Sequence, residues 1–125
     1  METAYRLYAK ETIKFEFKGH SFEMDVVRLP MKEQMRFSLK ATRLDEQSRS
    51  KDREIADDAL VAGFELQGDM LAYIVEDLRG FEDLDEWPKE HAERVKILCH
   101  DSEFLIAAMG AYNAFKLPDE VKEGK

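Results

Sequence analysis

At 125 residues the chain is long enough for one domain with a single core, and a 44% hydrophobic share is that of a folded chain rather than a disordered one. Charged residues make up 37% and the net charge is −8, which repels nucleic-acid phosphates and gains nothing from an anionic membrane. One cysteine excludes an internal disulfide and a thiolate metal cluster.

Residues 1–10 alternate apolar and polar side chains and hold no apolar run of the kind a secretory leader needs. Beyond them, Ile13, Phe15 and Phe17 alternate with Lys14, Glu16 and Lys18, and after Gly19-His20 the alternation resumes as Phe22, Met24 and Val26. Period-two patterning on both sides of a glycine turn predicts a hairpin. Its loop has two or four residues, and in either register the six apolar side chains share one face. Tyr5 and Leu7 are candidates for a third strand. A lone hairpin is marginal in water, so this face must pack on something else.

Pro30 marks the change to helix, since it fits a first turn. Met31, Met35 and Leu39 follow at i, i+4 and i+8, with Phe37, Ala41 and Leu44 widening the stripe. Residues 45–54 carry no apolar side chain and predict a solvated connection, either irregular or partly helical, in which Ser48 or Ser50 can cap the next helix. The strongest helix is expected over 55–78. Ile55, Ala59, Ala62, Leu66, Met70 and Tyr73 make one apolar row of it, and Ala56, Leu60, Phe64, Leu71, Ile74 and Leu78 make its neighbour. Gly80 then sits where a glycine stop belongs. Pro88 is expected to start a third helix that runs to about Cys99. Asp101 or Ser102 caps a fourth over 103–115, which Pro118 ends. The expected fold is one α+β domain, mainly α: a β-hairpin region over 1–28, of two or three strands, about four helices over 30–115, and a loose tail over 116–125.

Little in this chain has the spacing of a reactive centre. Cys99, His100 and Asp101 are consecutive, so their side chains diverge on a helix, and no second Cys or His pair stands at zinc-like spacing. His91 and Cys99 lie eight residues apart, roughly 12 Å along a helix axis and out of hydrogen-bond reach. Paired acids recur, but nothing specifies that two of them converge in a cleft. No catalytic residue, metal or cofactor is expected.

Two features stand out. Residues 76–90 hold seven acids and two bases, whereas 32–54 hold seven bases and five acids. Glu82, Asp83, Asp85 and Glu86 are therefore candidates to steer a basic partner, with Trp87 beside them as a contact residue. The second feature is the stretch 104–115, apolar except for Gly110 and Asn113. It spans 12 residues, short of the ~20 that a bilayer asks. A helix apolar nearly all round is buried on every side or has a face left for a partner, and Met109, Tyr112 and Phe115 are its candidates.

A hairpin followed by helices resembles the tail assembly chaperones of lambda-like long-tailed bacteriophages. Trp87-Pro88 followed by Glu90 carries the likeness further, as does a small-residue helix with Met109-Gly110 and the aromatic pair Tyr112 and Phe115. The resemblance runs roughly over 13–115. It implies a non-enzymatic protein in the cytoplasm of a bacterial host cell, working during virion assembly of a phage or prophage. Such a protein binds the tape measure protein and keeps it soluble until tail tube protein polymerises around it. The family is also made as a longer frameshifted form. A homo-oligomer is a further expectation from the apolar helix; nucleic acid and membrane are not expected partners. The alternative is a cytosolic adaptor or regulatory module that grips one folded protein through a preformed patch.

Overall fold

A computed structural model of the chain describes residues 10–115. Strands β1 (Lys10–Phe17) and β2 (His20–Val27) pair antiparallel, with Ile13 opposite Met24, Phe15 opposite Phe22 and Phe17 opposite His20. The loop is thus the two residues Lys18 and Gly19, at φ 51° and 80°. Positive φ at both positions is the turn whose twist matches the strands it joins, which settles the register left open by the pattern. Ile13, Phe22, Met24 and Val26 are buried on the common face.

Helix α1 (Met31–Ser48) follows Pro30, whose carbonyl accepts the Gln34 N–H at 2.9 Å. The helix outlasts its apolar stripe, because Asp45, Glu46 and Gln47 include good helix formers and Arg49 reaches back to Asp45 at 3.0 Å. The connection shrinks to 49–52. Capping falls to Asp52, not to Ser48 or Ser50: its Oδ1 accepts from the Glu54 and Ile55 amides. On α1 the buried side chain is Phe37, while Met31, Met35 and Leu39 are 73%, 57% and 60% exposed. The helical period was legible, but its inward side is the opposite one.

Helix α2 (Arg53–Ile74) stops four residues before the expected end and passes directly into β3 (Val75–Arg79). This strand pairs antiparallel with β2, Leu78 opposite Met24 and Arg79 opposite Glu23, with a bulge at Asp25/Val26. Ile74, Val75 and Leu78 suit a helix by spacing, yet β-branched Val75 and the waiting edge of β2 favour a strand. The sheet order is β1-β2-β3. The segment with Tyr5 and Leu7 lies outside the described residues, as does 116–125. Gly80 is not a helix stop. It stands at φ 133°, where a Cβ would lie 2.5 Å from the Phe22 ring.

Helix α3 (His91–Leu98) begins three residues after Pro88, and α4 (Ser102–Phe115) is capped by Asp101, which accepts the Glu103 amide at 2.8 Å. The helix α4 lies against β1 and α2. Phe104 is wholly buried there, with the rings of Phe15, Phe17, Phe22 and Phe81 at centroid distances of 5.2 to 5.8 Å. Burying each such ring contributes about 1.5–3 kcal/mol. The core is this aromatic cluster together with Met24, Leu71, Ile74, Val75, Leu98 and Leu105.

Candidate protein-binding surface

The acidic candidates sit on the loop between β3 and α3. Glu82, Asp83, Asp85 and Glu86 are all exposed, and none has an ion pair within 4 Å among the described residues. Four unpaired carboxylates within five positions make a local negative field. Trp87 corrects the expectation of a contact side chain. It is 6% exposed, its indole N–H donates to the Val75 carbonyl at 3.1 Å, and the Arg94 guanidinium lies 5.8 Å from its ring. An indole needs a partner for its N–H when buried, and the first residue of β3 provides one. Arg94 also donates to the Pro88 carbonyl at 2.6 Å, which ties the loop to α3.

The helix-four candidates divide differently. Phe104, Leu105 and Ala108 take the buried side, while Met109 and Tyr112 are half-buried against the core. Burial pushes the Tyr112 phenol above its ordinary pKa. Phe115 is the last residue of α4, and its side chain is outside the description. Ile106, at 54%, is the one large apolar residue of α4 strongly exposed among those described. Most of the apolar girdle is thus spent on β1 and α2. Tyr112 and Asp83 line separate cavities, so the structure does not bring the acidic loop and helix four into one site.

Sequence reasoning missed the larger apolar surface, which belongs to α1 and the first half of α2. Besides Met31, Met35 and Leu39, the residues Ile55, Leu60, Val61 and Phe64 are 40% to 60% exposed. A groove runs along the α1–α2 seam beside α4. One part, about 430 Å³, is lined by Leu29, Phe37, Met70, Ile74 and Tyr112 among others; the next, about 320 Å³, by Leu44, Leu60, Gly63 and Phe64. Both parts share Ala41, Leu66 and Gln67, so they adjoin. A signal was present: α1 carries two apolar rows, and a helix packed chiefly on one neighbour can bury only one of them.

His91, His100 and the cysteine make contacts within the fold, while His20 is exposed at the start of β2. His91 meets Asp69 at 2.5 Å and lies tilted 4.1 Å from the Tyr73 ring, linking α3 to α2. His100 Nδ1 meets the Ile97 carbonyl. The Cys99 sulfur occupies the place where a side chain at Gly68 would go, and burial, with Glu65 and Asp69 adding to it, pushes the thiol up, away from thiolate character. Among the described residues no three His, Cys, Asp or Glu side chains gather as for a metal ion, and no helix is long and apolar enough to cross a membrane.

No family model matches the chain, and no curated protein or solved structure matches it.

Proposed function

We propose that this protein is a non-catalytic chaperone of the tail-assembly kind, one that holds a helix-rich client soluble in the cytoplasm of a bacterial host until the client is assembled. In that reading the client is a phage or prophage tape measure protein, later released to tail tube protein. The supporting observation is the concentration of large exposed apolar side chains on α1 and the first half of α2, where seven residues from Met31 to Phe64 are at least 40% exposed. Single exposed apolar residues are ordinary, but a run along two neighbouring helices marks an interaction surface. The acidic loop adds net charge that keeps a complex soluble. The test is coexpression with a long, helix-rich phage tape measure protein. The soluble yield of that protein should rise, and should fall back with Leu60→Asp and Phe64→Asp together. An unchanged yield with the wild-type chain removes the reading.

The seam beside α4 favours a second reading, an adaptor that grips one folded partner. Its cavity is already formed and mainly apolar, as such a patch requires. An adaptor would bind its folded partner at fixed stoichiometry and leave unfolded clients to aggregate.

A further inference from the structure

The outward side of α1 combines an exposed apolar row with a row of exposed bases. With about 100° per residue, Met31, Met35 and Leu39 lie within one arc opposite buried Phe37, and Lys32, Arg36, Lys40 and Arg43 fill the arc beside it. All four bases are exposed. Arg36 pairs with Glu33 at 3.3 Å, whereas Lys32, Lys40 and Arg43 have no ion pair within 4 Å among the described residues. Glu65 and Asp69 line the groove across from Lys40 and Arg43, but Asp69 is engaged with His91. A row of bases beside an exposed apolar row is notable in a chain of net charge −8.

We propose that this strip docks an acidic amphipathic helix of a partner protein, an inference that rests on the protein-binding reading above and names the partner's chemistry. The apolar row seats the partner's leucine-type ridge at i and i+4 spacing, and the basic row selects a carboxylate flank. A second copy of α1 fits poorly. In an antiparallel pair like flanks face each other, so bases would meet bases. In a parallel pair the basic flank would meet Gln34, Ser38 and Asp45, and Asp45 is already joined to Arg49. Anionic lipid is opposed by the charge of the whole chain.

The test uses the full chain and two helical peptides of roughly 20 residues with identical leucine rows, one flanked by Glu and the other by Lys. Fluorescence anisotropy at low salt should show the Glu peptide binding about tenfold tighter or more, a preference that shrinks as salt rises. The triple variant Lys32→Glu, Lys40→Glu, Arg43→Glu should invert that preference, and Met35→Asp should remove binding of both peptides. All four side chains are solvent-facing, so melting temperatures should stay close to wild type. Equal affinity for the two peptides overturns the proposal, as does a preference indifferent to the triple variant. Binding to phosphatidylserine vesicles in place of the peptide, or dimers abolished by Met35→Asp, assigns the strip to lipid or to a second copy and also overturns it. If the client's soluble yield still rises while neither peptide binds, this inference fails and the chaperone reading stands.

Discussion

The two halves of α2 share one helix and differ in everything around it. In the second half Leu71, Ala72 and Ile74 are buried, and the approach of α3 is so close that a Cβ on Gly68 would lie 2.1 Å from the Cys99 sulfur. In the first half Leu60, Val61 and Phe64 face solvent, and a Cβ on Gly63 would meet nothing within 4 Å. Two glycines five residues apart in one helix therefore have different standing. At Gly68 a side chain would collide with Cys99, whereas at Gly63 none of the described residues stands in the way. The second half is packed into the core; the first half buries Ala59 and leaves Leu60, Val61 and Phe64 exposed.

The comparison is broken most severely at its packed end. Phe104→Ala removes the ring at the centre of the aromatic cluster and should cost about 3–5 kcal/mol, enough to unfold a marginal domain, as read by denaturant titration. Leu60→Asp, on the open half, should change the same titration by less than about 0.5 kcal/mol. Retention of the native state by Phe104→Ala would mean the core lies elsewhere.

A finer contrast uses the glycines. Gly68→Ala forces the Cys99 thiol aside and should destabilise by about 1 kcal/mol or more, with partial rescue in the double variant with Cys99→Ala. Gly63→Ala should stabilise, by roughly 0.5–1 kcal/mol, because alanine is the better helix former and the space is open. Opposite signs in thermal melts are the expected result; equal signs would erase the distinction between the halves.

The smallest effect concerns the solvent face of the sheet. The hydrogen bond from Arg79 holds the Asp25 carboxyl below its ordinary pKa, with Thr12 Oγ donating to it as well. A carboxyl depressed in the folded state contributes stability above its unfolded pKa, and loses it as pH falls through the folded value. Asp25→Asn should therefore cost under about 1 kcal/mol near neutrality, and nothing once both forms are protonated in acid. Denaturant midpoints measured from pH 7 down to pH 2 check this.

How much of this was legible in the sequence depends on the range of the interaction. The hairpin is local: alternation around Lys18-Gly19 carries it, and only the turn geometry was needed to choose the register. The third strand is not local. Val75 pairs with Val26 across about fifty residues of chain, and its own neighbourhood spells helix as readily as strand. The inward side of α1 was misread for a related reason. Met31, Met35 and Leu39 form the more regular row, but it is Phe37 that meets Tyr73, at a ring distance of 6.0 Å, while those three stay exposed. Trp87 and the helix-four residues Met109, Tyr112 and Phe115 were singled out as contacts for a partner protein. For Trp87 the contact is instead with the chain's own Val75 and Arg94, a fact no spacing rule contains.

The direct passage from α2 into β3 has a consequence for kinetics. With no loop between Ile74 and Val75, the strand's position is set by where the helix ends. Closing β2 onto β3 as a free coil would carry the entropy of a loop of nearly fifty residues, but the α1–α2 hairpin forms from near neighbours and shortens that loop before the strand arrives. Loop entropy alone therefore favours an order in which the helical hairpin precedes the third strand. Paired deletions of one helical turn, one from the end of α1 and one from the start of α2, would leave the strand's arrival point unchanged, so the length of this arm is free to vary while the sheet stays the same.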